Sequence, residues 1–343
     1  MKNWKLLTLV LALVLVLAAC GSDNTSSEPA EETKKETQTT GESEASAYPM
    51  TIKSTVASTE SEENGTITFE DVTLEKMPEK IVVFDYGFLD TLNTLGVEGI
   101  VGVAKDSNLP AHLSEFESDE YASVGTLKGP LLEDIAELQP DVIFISGRQS
   151  SFYEQLKEIT PNVVFVGTTQ QDYWNTFKAS VELAGQIFDK EAEVEEEFAK
   201  FDSKLEEVKA LAGGYDNILV SMYNEGKISG FSTNSRFGYI YDVYGFKPTT
   251  EDIEASSHGS NFGYEALLEF NPQALLVIDR TAATGGESKI KADFENDIIK
   301  QTDAYKNGTI VYLDGPLWYL GGGGLQSELA KIDEVLAELK AAK

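Results

Sequence analysis

The stretch Leu131–Arg148, LLEDIAELQPDVIFISGR, recurs without a gap as Gly263–Arg280, GYEALLEFNPQALLVIDR. The copies share Glu133 with Glu265, Glu137 with Glu269, Pro140 with Pro272 and Arg148 with Arg280. Each reads as an amphipathic helix, a turn at the proline, a short apolar run and a terminal arginine. The runs VIFI and LLVI are bounded and nearly continuous, as in strands buried on both faces of a parallel sheet. An arginine there sits at the carboxyl end of its strand, where open α/β sheets bind ligands. Two copies predict two lobes of similar build. The pattern also suits a plain salt bridge at each strand end. The composition weighs on this choice: among 27 Lys+Arg, Arg148, Arg236 and Arg280 are the three arginines. A chain that uses lysine elsewhere points to guanidinium geometry at those places.

Outward from the repeat, the 343 residues leave room for two domains after a leader. Residues 1–19 read as a secretory signal peptide, with Lys2 and Lys5 before an apolar run from Leu6 to Ala19. That run is too short for a stable transmembrane span. Leu17-Ala18-Ala19-Cys20-Gly21 resembles the bacterial lipobox, so Cys20 is expected to be the lipidated first residue of the mature chain. Cys20 is also the single cysteine, which excludes an intrachain disulfide and a thiolate-ligated metal. Residues 20–49 are rich in Ser, Thr and Glu and are expected to be a disordered tether. The formal net charge is −31, which makes nucleic acid an implausible partner. For an anionic ligand, three arginines would have to oppose that global field locally.

The N-terminal α/β lobe is expected over 50–171. Thr51–Ala57 and Gly65–Leu74 alternate and predict a hairpin. Ile81–Asp85 reads as a buried strand, Gly87–Leu95 as a helix stopped by Gly96, and Gly99–Val103 as the next strand. After the first repeat copy come helix Ser151–Ile159 and strand Val163–Val166. Asp172–Ala212 is a helix-forming stretch without proline and with Gly185 as its glycine. Phe198, Phe201, Leu205 and Val208 mark a narrow apolar stripe. A helix over Lys190–Ala212 would be about 34 Å long, and a spine over 172–214 is expected between the lobes.

The C-terminal lobe, 215–343, opens with strand Asn217–Met222, followed by Lys227–Phe231. Phe237–Tyr244 reads as a helix beyond Arg236. Ser257-His258-Gly259 lies in a loop before the second repeat copy. Lys289–Gln301 is helical, strand Thr309–Leu313 leads into Asp314–Leu320 and four glycines, and Gln326–Lys340 closes the chain. His112 reads as an ordinary surface or supporting residue.

Several motifs stand together in order: PEKIVVFDYGFLDTLNTLGV, DVIFISGRQS, STNSRFGYIYDVYGF, SSHGSNFGYEALLEFNPQALLVIDR and VYLDGPLWYL. With them, Gly65–Lys343 resembles the substrate-binding lipoproteins of bacterial ABC importers for iron–siderophore complexes. The resemblance implies an α/β fold of two Rossmann-like lobes joined by a long rigid helix, the class III periplasmic-binding-protein build. The chain is most similar to the catecholate-siderophore binders, of the ferric-enterobactin and ferric-petrobactin type. That resemblance implies a basic triad of Arg148, Arg236 and Arg280. It also implies that His258 and Tyr319 can complete an iron shell, and that Glu133 and Glu265 dock the lobes onto permease arginines. The segment Ser260–Tyr264 departs from the usual run before the glutamate. No intrinsic cofactor is implied. The ferric siderophore is the cargo, and the partners are permease subunits with a cytoplasmic ATPase. A monomer lipid-anchored on the extracytoplasmic face of a Gram-positive cell membrane is expected.

The chemistry agrees with that reading. Fe³⁺ prefers hard oxygen donors, with imidazole acceptable, and planar guanidiniums can fork onto catecholate oxygens or lie over their rings. With a tetradentate bis-catecholate, His258 and Tyr319 would fill two open iron positions; with a hexadentate ligand they would not coordinate. Other classes fare worse. A nitrogenase-like oxidoreductase needs cysteine ligands, and neither a GxSxG elbow nor an HExxH helix is present, so an enzyme is not expected. Two histidines, His112 and His258, far apart in sequence, exclude a multi-histidine zinc or manganese site. Hydroxamate or citrate siderophores, haem and corrinoids remain as alternative ligands.

Overall fold

The computed structural model describes residues 48–61, 65–249, 253–254, 256 and 258–342. The expected signal peptide, Cys20 and nearly all of the tether lie outside the described residues. The chain enters through β1 (Met50–Ile52), β2 (Ser58–Ser61), β3 (Gly65–Thr68) and β4 (Val72–Leu74). These four make two antiparallel ladders, β2 with β3 inside and β1 with β4 outside. The expected hairpin is therefore present, but each of its arms is split into two short strands.

Next come β5 (Ile81–Val83), α1 (Tyr86–Thr94), β6 (Ile100–Val103), β7 (Ala122–Ser123), β8 (Gly125–Thr126), β9 (Gly129–Pro130), α2 (Leu132–Leu138), β10 (Val142–Ile145), α3 (Tyr153–Lys157) and β11 (Val163–Phe165). Five of the strands form an all-parallel sheet in the order β11-β10-β5-β6-β7. Val142, Ile143, Phe144 and Ile145 have no exposed surface, which is what a near-continuous apolar run in a covered sheet demands. Each such side chain contributes about 2 kcal/mol relative to exposure.

The stretch read as one spine is two helices, α4 (Tyr173–Phe188) and α5 (Glu191–Ala212). Asp189 takes a left-handed conformation (φ 52°), and the Lys190 N–H returns to the Gly185 carbonyl at 2.8 Å. Trp174 and Phe177 both pack edge-on against Phe201, so α5 folds back antiparallel to α4. Gly185 makes this possible, because a Cβ there would press on Val194 at 3.0 Å. The longest helix, α5, still carries the expected stripe, with Phe201, Leu205 and Val208 buried.

The second lobe runs β12 (Ile218–Asn224), β13 (Lys227–Phe231), α6 (Tyr239–Asp242), β14 (Ser260–Phe262), α7 (Tyr264–Phe270), β15 (Ala274–Asp279), α8 (Arg280–Ala283), α9 (Ile290–Phe294), α10 (Asp303–Lys306), β16 (Ile310–Leu313), α11 (Gly315–Tyr319) and α12 (Leu325–Ala341). Its sheet has the order β14-β13-β12-β15-β16. Here β12, β15 and β16 are parallel, while β13 and β14 are antiparallel. The sheet is therefore mixed, not purely parallel. The switch is local: Glu225 (φ 50°) and Gly226 (φ 82°) form a two-residue turn with both φ positive, the geometry that matches strand twist in a hairpin. Both repeat copies are helix–turn–strand units, α2–β10 and α7–β15. Their helices end in left-handed residues, Gln139 and Asn271, just before the prolines. The described residues belong to one compact unit, Ser46–Lys343. Among them, no helix is long and apolar enough to cross a membrane.

Candidate binding cleft

Three strands lead into an aspartate that turns the chain into a helix: Asp85 two residues after β5, Asp279 at the end of β15 and Asp314 directly after β16. Asp85 accepts from Phe88 N at 2.9 Å, Asp279 from Ala282 N at 3.0 Å and Asp314 from Leu317 N at 2.7 Å. A carboxylate in this position satisfies an orphan N–H of the first turn. The cap on Asp279 fixes Arg280 as the first residue of α8, at the carboxyl end of β15. The cap on Asp314 starts α11, whose last residue is Tyr319. Gly315 lets α11 rest on β15, since a Cβ there would overlap the Asp279 carbonyl.

Tyr319 is the point on which the arginines converge. Arg236 Nη2 donates to its carbonyl at 2.6 Å, and Arg148 Nη2 reaches the same oxygen at 3.4 Å. Arg280 Nε donates to the Tyr319 hydroxyl at 2.9 Å, and Arg280 Nη1 donates to Asn224 Oδ1 at 2.7 Å. The guanidiniums of Arg236 and Arg280 lie 4.3 and 5.3 Å from the Tyr319 ring centre. The electrostatics follow from this crowding. Burial pushes the Tyr319 phenol up, but Arg280 and Arg236 outweigh it and hold the pKa below the ordinary tyrosine value. Burial, and then the neighbouring Arg148, pull Arg236 below the usual arginine range.

A cavity of about 500 Å³ opens between the lobes at this point. From the first lobe it is lined by Asp85, Ser146, Gly147, Arg148 and Thr168–Gln170, and from the second by Arg236, Phe237, His258 and Tyr319. Arg148, Arg236, His258 and Tyr319 thus line one cavity. Arg280 does not line the cavity and meets it through the Tyr319 hydroxyl. His258 is exposed on the wall, and its backbone N–H donates to Ser256 Oγ at 3.2 Å. Glu133 and Glu265 lie away from the cavity, exposed in the first turns of α2 and α7.

Other participants escaped sequence reasoning. Asp85 is half-buried at the cavity, and burial raises its pKa while Phe88 N, Ser146 and Arg148 oppose the rise. Its signal was present, because it ends a buried strand just as the arginine motifs do. Glu60, on the split hairpin, also reaches the cavity, and nothing in its local sequence marks it. Of the two readings of His112, surface or supporting residue, its burial excludes the first. Its side chain is 12% exposed, with Nε2 3.8 Å from the buried Asp90. Among the described residues, no group of three or more His, Cys, Asp and Glu could hold a metal ion. What the cavity offers is guanidinium donors around a phenol eased toward phenolate, a setting for an anionic ligand that brings its own hard metal.

Two α/β lobes facing each other across such a basic cavity are the build of a solute-binding protein, and the chain belongs to the periplasmic binding protein family, which residues 81–317 match. It is 42% identical over 336 residues to the petrobactin-binding protein YclQ of Bacillus subtilis (strain 168), covering 98% of each chain. The crystal structure of YclQ matches at a TM-score of 0.78 and 41% identity, covering 85% of this chain and 98% of that one. The periplasmic catecholate-siderophore binding protein VctP of Vibrio cholerae matches at a TM-score of 0.71 and 32% identity, covering 85% of this chain and 100% of that one.

Proposed function

We propose that the protein captures a ferric catecholate siderophore of the petrobactin type and delivers it to an ABC permease for iron import. The observation that carries this reading is the convergence of Arg148, Arg236 and Tyr319 on one inter-lobe cavity. The likeness to a petrobactin-binding and a catecholate-siderophore-binding protein supports it. The guanidiniums receive the catecholate oxygens and rings, and Arg280 acts through Tyr319. With a tetradentate chelate, the Tyr319 phenolate and the exposed His258 imidazole complete the iron shell. Glu133 and Glu265 dock on the permease. Lipidated Cys20 holds the protein on the extracytoplasmic face of a Gram-positive membrane, where it works as a monomer.

The test is a fluorescence titration of the purified protein, whose Trp318 lies at the cavity. Ferric bis- and tris-catecholates, a ferric hydroxamate, ferric citrate, haem and a corrinoid are compared. Tight quenching by a catecholate, weakened at least about tenfold in Arg236→Ala, is expected, since one charge-assisted hydrogen bond is worth about 1.5–3 kcal/mol. The bound bis-catecholate iron complex should also change its charge-transfer band in His258→Ala and in Tyr319→Phe. Binding of haem or a corrinoid alone would sink the catecholate assignment.

A further inference from the structure

The arginines suit the cavity to an anion, yet the first lobe also brings carboxylates to it. Asp85, after β5, and Glu60, on β2, both line the cavity that Arg148 lines. Glu60 is exposed, and its Oε1 accepts from Thr66 Oγ1 at 2.8 Å. Asp85 is half-buried, and its Oδ1 is spent on the cap of α1 through Phe88 N. Its Oδ2 makes no ion pair and no hydrogen bond of ordinary length among the described residues; Ser146, Arg148 and Gly87 N are near enough only to favour its charged form. The other two strand-end aspartates differ. Asp279 accepts from the Ser288 hydroxyl with its second oxygen, and Asp314 is exposed.

Capping does not call for the charge on Asp85, because asparagine caps a helix as well as aspartate. Nor does Arg148 call for it. That guanidinium turns to the Tyr319 carbonyl and forms no ion pair with Asp85. A carboxylate with no cation to pair with is costly in a half-buried place. Beside a bound anion it also repels. Both costs are offset by a ligand that carries a positive charge of its own. An ionised carboxylate accepts hydrogen bonds and donates none, so the complementary group is a protonated amine. The iron-bound oxygens belong with the guanidiniums and Tyr319. The amine therefore stands in the linker, clear of the iron.

We propose that Asp85 is a specificity-determining residue that receives a protonated amine in the siderophore's linker, so that the preferred ligand is anionic at its iron and cationic away from it. The proposal rests on the siderophore reading above. Two ferric bis-catecholates of equal length test it on the purified protein at neutral pH. One carries a secondary amine in its linker, and the other a methylene in the same place. The native protein should bind the amine chelate at least about tenfold more tightly, the scale of one charge-assisted hydrogen bond. Asp85→Asn should lose that preference. It should weaken the amine chelate by about tenfold and hold or tighten the methylene chelate, because the repelling charge is gone. Its Tm should hold, since asparagine keeps the cap. Unchanged affinity for both chelates in Asp85→Asn would overturn the proposal, because it would mark a neutral carboxyl donor that asparagine can imitate. An equal change for both would overturn it as well, as the sign of a structural role. Binding of both chelates by the native protein without preference sinks this inference alone. If the native protein binds neither, the siderophore reading fails first and takes this inference with it.

Discussion

At the scale of single residues, Tyr319 concentrates the chemistry of the cleft. Its carbonyl takes two arginines, its hydroxyl a third, and its ring lies against two guanidiniums. The phenol is consequently easier to ionise than an ordinary tyrosine. Other tyrosines go the opposite way: burial pushes Tyr48, Tyr223 and Tyr312 up to about 12. An ultraviolet pH titration should therefore show an early phenolate phase that vanishes in Tyr319→Phe; an unchanged curve would contradict the arginine effect. The sign for stability follows. The folded pKa lies below the unfolded value, so this group adds stability as pH climbs from the folded pKa toward about 10. That contribution is full above the unfolded pKa and lost as pH falls through the folded one. A phenol biased toward phenolate is also a better hard donor for Fe³⁺.

At the scale of elements, the four-glycine run Gly321–Gly324 acquires a reason. Asp90 of α1 is 1% exposed and accepts from Ser327 N at 2.7 Å and Gln326 N at 3.1 Å, capping α12 from another part of the chain. Gly324 lies so close that a Cβ would overlap Asp90 Oδ2, and a Cβ on Gly87 would overlap the Gly322 carbonyl. Glycines here let the segment after Tyr319 run flat across α1 before α12 begins. Gly324→Ala should destabilise the protein by about 1–3 kcal/mol, the usual cost of overpacking, read as a lower Tm in thermal melts. An unchanged Tm would mean that this segment can lift off α1. Burial raises the Asp90 pKa against these N–H bonds, and burial lowers that of His112 beside it. The helical hairpin of α4 and α5 likewise depends on one close approach, at Gly185.

At the scale of the whole molecule, the repeat gives each lobe a helix with a glutamate in its first turn and a strand leading toward an arginine. Glu133 and Glu265 are exposed, and an acidic first turn is already favoured by the helix dipole. The docking proposed for them is separable from ligand binding because neither borders the cavity. Glu133→Lys and Glu265→Lys should each lower uptake of the ferric chelate by cells while leaving its affinity for the purified protein unchanged. A shift in affinity would count against docking. The overall charge of −31 makes the basic cavity a local exception. Guanidiniums packed around one tyrosine do locally what the global field opposes.

What the sequence determined by itself is what periodicity and composition encode. The bounded apolar runs ending at Ile145 and Ile278 placed two buried strands, and of the three arginines in a lysine-rich chain, Arg148 and Arg236 line the cavity while Arg280 stands behind Tyr319. The apolar stripe through Phe201, Leu205 and Val208 marked α5 correctly. The break at Asp189 was not legible, because no proline marks it and a left-handed aspartate leaves no pattern. Nor was the antiparallel pairing of β13, which turns on two residues with positive φ. The convergence of Arg236, Arg148 and Arg280 on the Tyr319 backbone and phenol belongs to tertiary structure, as do the cavity faces of Asp85 and Glu60. These depend on which loops meet across two lobes, and contacts between residues so distant in the chain carry no local signal. Local sequence sets which way a strand ends; only the packed lobes decide what that end faces.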